Sequence, residues 1–206
     1  GGYESEDDYN AVRILEKDGV KIAFLSYTYG TNGITLGSGY NVVIPYLGEA
    51  TVKSQIETAR TQADFVFVSP SDEQKKYARI MADAGADVIL GHHPHVIQPV
   101  EWISAEDGRK TLCVYSLGNF MAEQAYDYNM IGGMISFDIV TKGDTRSIEN
   151  PVFIPTVYYF DTSFYGNCIY LLETFTAAYG HYTNLETLRK YVTDTVSPEF
   201  LPESFK

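Results

Sequence analysis

Asp87-Val88-Ile89-Leu90-Gly91-His92-His93-Pro94-His95 joins a short apolar run to a loop that holds three of the chain's four histidines. The run follows the Ala- and Gly-rich end of a helical pattern, Asp83-Ala84-Gly85-Ala86. Helix, buried strand and polar loop in that order describe an α/β unit, whose ligand sites lie beyond the carboxyl ends of the strands. Neutral imidazole is the commonest side-chain metal ligand, and Pro94 restricts the loop's backbone. A polar surface loop that is merely histidine-rich is the competing reading.

Working outward toward the N-terminus, Val52, Ile56, Ala59 and Ala63 recur at helical spacing and predict a helix over 49–62. A strand follows at Asp64 to Ser69. Ser71 and Gln74 form a capping box for a second helix, whose buried stripe is expected at Tyr77, Ile80, Met81 and Ala84. This αβαβ run predicts a parallel sheet segment. Earlier still, Val12 to Glu16 and Val20 to Tyr27 flank Lys17-Asp18-Gly19, a hairpin turn signal. Beyond the histidines, Val96 to Ile103, Thr111 to Tyr115, Ile131 to Val140 and Val152 to Tyr159 read as strands of an antiparallel or mixed sheet. Two closing helices are expected, at Leu172 to Tyr179 and Leu185 to Thr195, the second capped by Thr183 with Glu186. No repeat, low-complexity segment or linker interrupts the 206 residues, so a single domain is expected.

The net charge of -12 repels nucleic acid and anionic lipid, so no nucleic-acid partner is expected. A polyanionic ligand would need a metal or a local basic group to reverse the sign. No apolar stretch approaches the roughly 20 residues of a membrane-spanning helix. The opening Gly1-Gly2-Tyr3 is read as the start of a fragment of a longer protein. Cys113 and Cys168 both lie in strand-like runs and are expected as small core residues.

Chemistry is sought in two loops. His92, His93 and His95 act together only if the loop brings their rings to one point. Glu101, on the strand after them, is a candidate to orient an imidazole, with an exposed strand residue as the alternative. His181, at the end of a helical pattern, is assigned a helix-capping role. The second loop is Tyr115-Ser116-Leu117-Gly118-Asn119-Phe120, which presents an amide and a hydroxyl at a tight turn; local turn bonding is the plainer explanation. No Walker loop, dinucleotide fingerprint or HExxH zinc motif occurs.

Three stretches together resemble the CapA family (also PgsA) of capsule and poly-γ-glutamate biosynthesis proteins: 14–25, 83–98 and 114–120. The hairpin at 14–25 is common. The histidine stretch followed about twenty residues later by Ser-Leu-Gly-Asn-Phe is specific. The similarity covers Val12 to Pro155, with 156–206 as a C-terminal extension. The resemblance implies a mixed α/β (α+β) fold, a calcineurin-like metallophosphatase-type layered sheet sandwich flanked by helices. Gly91 to His95 then looks like the Gly-His-x-His metal motif. It carries over His92, His93 and His95 as metal ligands for Mn, Fe or Zn, and His92, His95 and Asn119 as catalytic. Gly91, Glu101, Tyr115, Ser116 and Gly118 line the site.

The implied role is synthesis, export or anchoring of an anionic polymer such as poly-γ-glutamate or capsule, with metal-dependent hydrolysis one version. A non-catalytic polymer-binding module and a phosphoesterase on a small phosphate ester are the alternatives. Implied partners are the polymer and other membrane-bound capsule-synthesis proteins. The implied location is the extracellular face of the cell envelope, with membrane contact only through an N-terminal anchor outside these residues. Family members also carry an N-terminal Gly-Asp strand end, an Asn-Asn-His loop and a His-Trp-Gly-x-Glu-Tyr motif, none of which occurs here. The reading therefore expects the N-terminal half of the family domain to be absent and Ser69-Pro70 to join two separated stretches.

Overall fold

The structure is a computed structural model that describes residues 2–35, 37, 39–69, 74–122, 124, 127–143, 145–160, 166–176 and 184–206. Its class is mixed α/β, as the sequence reading expects. A short helix, α1 (Glu6–Asn10), opens the chain, with Ser5 capping it by accepting from the Asp8 amide. Next come β1 (Arg13–Lys17) and β2 (Val20–Ser26), an antiparallel hairpin that turns at Asp18 and Gly19. Their φ values of +52° and +79° are those of the tight turn that matches strand twist.

The αβαβ run follows. It comprises α2 (Glu49–Arg60), β3 (Phe65–Ser69), α3 (Gln74–Ala84) and β4 (Val88–Leu90). β2, β3 and β4 are parallel neighbours, and Phe65 to Val68 are all buried, as a strand covered on both faces requires. With β5 (Val100–Ser104) and β6 (Lys110–Val114) they form a six-stranded sheet of order β1-β2-β3-β4-β6-β5. A second, three-stranded antiparallel sheet contains β7 (Ile131–Lys142), β8 (Thr145–Tyr159) and β9 (Cys168–Leu171). Helix α4 (Leu185–Thr195) and two single 3-10 turns end the chain. The chain divides into two compact units. One is Gly1–Gly91 with Trp102–Cys113; the other is His92–Glu101 with Val114–Lys206.

Several local expectations are corrected. The buried stripe of α3 is Tyr77, Ala78, Met81 and Ala82 rather than one reaching Ile80 and Ala84. Pairs spaced four apart bury this face, and its two alanines allow close packing. The strand expected from Val96 begins at Val100, because Pro99 has no N–H to give a ladder. β8 begins at Thr145, seven residues before the apolar run that signals it, because β7 pairs with it that far out. Leu172 to Thr174 form a turn rather than a helix, with the Thr174 and Phe175 amides both donating to Leu171 O. Thr174, Phe175 and Thr176 are all poor helix formers. α4 is capped by Asn184, whose Oδ1 accepts from the Glu186 and Thr187 amides. Cys113 is buried, but Cys168 is exposed at the start of strand β9, at the margin of its sheet. The Ser71 capping box, Thr183, Asp144 of the β7–β8 turn and His181 lie outside the described residues.

Candidate functional site

The histidine loop leaves β4 at buried Gly91, and its backbone is unusual. His93 has φ +108° and His95 has φ +59°. Side chains carried on such backbone are disfavoured, and residues so held cluster at functional sites. All three imidazoles reach the surface. Partial desolvation by the surrounding protein lowers the pKa of His92, which favours the neutral, ligand-competent ring.

His95 is fixed by a closed set of hydrogen bonds. Its Nδ1 lies 2.8 Å from Asn119 Oδ1. Asn119 Nδ2 donates to Gln124 Oε1 at 3.0 Å and to Asn129 O at 2.9 Å. Asn129 Nδ2 returns to His95 O at 2.9 Å. Both amide hydrogens of Asn119 point at acceptors, so its Oδ1 must face the imidazole and Nδ1 must carry the hydrogen. His95 therefore holds its lone pair on Nε2, the atom turned away from this network. A ring with one nitrogen anchored and the other bearing a lone pair can take up a proton, ligate a cation, or donate to an anion once protonated.

The Asn119 loop is shaped by glycine. Gly118 has φ +69°, and a Cβ there would stand 2.5 Å from Ile131 O; a Cβ on Gly132 would stand 2.0 Å from Asn119 O. Only hydrogen at both positions allows the loop to lie against the start of β7, where the two glycines form a bridge. Ser116 is buried, and its Oγ accepts from the Gly118 amide at 3.1 Å, so it shapes the turn. Tyr115 is also buried, and its hydroxyl donates to Glu101 Oε1 at 2.5 Å. That contact joins two residues expected to line the site, one on β5 and one just after β6.

A metal centre does not emerge from the same residues. Among the described residues no group of three or more His, Cys, Asp or Glu side chains is placed to hold a metal ion. The donor set of the described residues alone does not fit a two-metal centre.

Sequence reasoning missed Gln124 and Asn129. Neither belongs to a motif, and both enter only through contacts with Asn119. The apolar side chains beside these amides were also missed. Phe120 and Met121 follow Asn119, Tyr128 precedes Asn129, and all three are more than half exposed. Tyr128 packs against Tyr191 with ring centroids 4.5 Å apart and planes tilted by 43°, and Tyr191 donates to Ile97 O. A separate pocket lined by Tyr3, Tyr9, Phe24 and Gln55 lies in the first unit and holds none of the expected site residues.

The sequence model of the family described as "Bacterial capsule synthesis protein PGA_cap" matches residues 1–124. The chain is similar to the PGA biosynthesis protein CapA of Bacillus subtilis (strain 168), at 31% identity over 162 residues, 73% of this chain and 41% of that protein. It is similar to the capsule biosynthesis protein CapA of Bacillus anthracis at 27% identity over 157 residues, 69% of this chain and 37% of that protein. The chain thus spans about two-fifths of the length of these curated relatives. Among solved structures, a 5'-nucleotidase precursor from Thermus thermophilus matches with a TM-score of 0.44 at 14% identity, over 70% of this chain and 30% of that one.

Proposed function

Because the chain belongs to the bacterial capsule synthesis protein family PGA_cap, we propose that it acts in the synthesis, export or anchoring of an anionic cell-envelope polymer such as poly-γ-glutamate or capsule. The observation that carries this reading to particular atoms is the anchored imidazole of His95. Once protonated, it donates from Nδ1 to Asn119 and from Nε2 to a polymer carboxylate. Exposed Phe120, Met121 and Tyr128 supply apolar surface for the methylene segments between carboxylates. His92 and His93 belong to the same loop and are assigned to the same ligand.

The protein works at the outer face of the cell envelope, beside other membrane-bound capsule-synthesis proteins. Membrane contact is assigned to a segment outside these residues. No described helix is long and apolar enough to cross a bilayer. Calorimetric titration with poly-γ-glutamate in mildly acidic buffer tests the reading. Loss of one charge-assisted hydrogen bond in His95→Ala should weaken binding about tenfold. Equal binding by the two proteins would remove His95 from the site.

Metal-dependent hydrolysis is the second reading, favoured by the neutral form of His92. His92, His93 and His95 would be its ligands, Asn119 a catalytic group, and Mn, Fe or Zn its metal, joined by donors from a longer protein. Stoichiometric metal that is lost on His92→Ala would favour it.

A further inference from the structure

β7 is an outer strand of its sheet. Near its start it meets the Asn119 loop, through the Gly118–Gly132 bridge and a bond from the Gly133 amide to Leu117 O. Farther along, no strand or β-bridge among the described residues joins its outer edge. On the other side of the hairpin, β9 covers β8 only from Thr156 to Tyr159. Asp138 to Lys142 and their partners Thr145 to Glu149 therefore form a two-stranded ribbon of their own. Such ribbons are marginal in water, and an open edge is a template for another strand.

Like charges face each other on this ribbon within one copy. Asp138 stands directly opposite Glu149, a like-charge pair. Among the described residues, no ion pair joins either carboxylate, or Lys142, to an opposite charge. Asp138 accepts only from the neutral amide of Asn150, and Glu149 from the Ser147 hydroxyl.

We propose that the β7 edge pairs with the same edge of a second copy of this chain, antiparallel, about a two-fold axis through Val140. In that register Asp138 faces Lys142 of the second copy at both ends, and Val140 faces Val140 between them. Residues two apart share a face of a strand, so one face of the junction is an apolar contact flanked by two ion pairs. The opposite face holds two Ile139–Thr141 contacts, β-branched on both sides. Moving the axis to Ile139 sets Asp138 against Val140, and moving it to Thr141 sets Lys142 against Val140. Either move loses both ion pairs, so charge selects one register. The contact is isologous and closes as a dimer, joining the two three-stranded sheets into one of six strands. Each Asp138 then has a cation on one side to offset Glu149 on the other.

Sedimentation velocity of the 206-residue chain over a wide concentration series tests this pairing. The wild-type chain should show a monomer–dimer equilibrium. Asp138→Lys should weaken it about tenfold, by setting lysine against Lys142 twice. The same change places a lysine opposite Glu149 within its own hairpin, so the hairpin is not weakened, and circular dichroism should match the wild type. Lys142→Asp alone should weaken association similarly, and the charge-exchanged double variant should restore it. A chain that stays monomeric throughout, or a double variant no better than either single, overturns the proposal.

Discussion

Asn119 uses three of its four side-chain hydrogen-bonding positions within one small network: its oxygen toward His95, and its two hydrogens toward Gln124 and Asn129. Truncation to alanine would leave the His95 Nδ1 and the Asn129 carbonyl without these partners. We expect Asn119→Ala to lower stability by about 2–3 kcal/mol. It should also release the imidazole toward the Nε2–H tautomer that a free side chain prefers. Long-range proton–nitrogen NMR correlations read the tautomer directly; an unchanged Nδ1–H form would mean that another group sets it. Histidines and asparagine in two loops were legible in the sequence, because residue type and position after apolar runs mark them. Their connection was not legible, since Asn129 sits in a segment without periodicity and reaches His95 only by folding back.

At the scale of elements, the strand that launches the histidine loop is locked at its entry by Asp87. Asp87 Oδ2 accepts from Arg60 Nη1 of α2 at 2.7 Å and from the Val66 amide of β3 at 2.8 Å. Its carbonyl accepts from Leu112 of β6 at 3.0 Å. Burial, the largest influence, raises the carboxyl above the ordinary aspartate range, although Arg60 and the Val66 amide pull the other way. The folded state thus binds this proton more tightly than the unfolded chain does. The carboxyl's titration contributes its full stability below the ordinary value of about 3.9 and loses it as pH rises through the folded value. Asp87→Asn should cost about 1–3 kcal/mol, because the amide oxygen accepts more weakly from Arg60 and the Val66 amide and an NH2 group is buried in place of the second oxygen. The stability gap between wild type and variant, followed by urea unfolding, should narrow as pH rises from about 3 toward neutrality; a widening gap would mean that Arg60 outweighs burial. The hairpin, α2, β3 and α4 were readable because periodicity and turn chemistry agree along them. Where they disagree the reading slipped, as at Pro99, at Leu172 to Thr176 and at the outer half of β8.

For the whole molecule the governing quantity is the net charge of -12. A polyanion approaching such a surface is repelled over a Debye length, which shrinks to about 8 Å at physiological salt. The excess negative charge outnumbers a few imidazolium groups. Capture of poly-γ-glutamate should therefore strengthen as salt is raised from low ionic strength to about 0.15 M. Binding that weakens steeply instead would place a basic patch in control. Fold class and family could be read from the whole chain, because the succession of helices and strands and two spaced motifs belong to the sequence itself. The directions of the three imidazoles could not, because they depend on backbone angles that no spacing encodes. Those angles carry one more consequence. At positions 93 and 95 the main chain suits glycine, yet imidazoles stand there. Glycine at either place would relieve the fold by roughly 1 kcal/mol. A polypeptide optimised for folding alone would make that exchange, so this loop forgoes stability to keep its side chains.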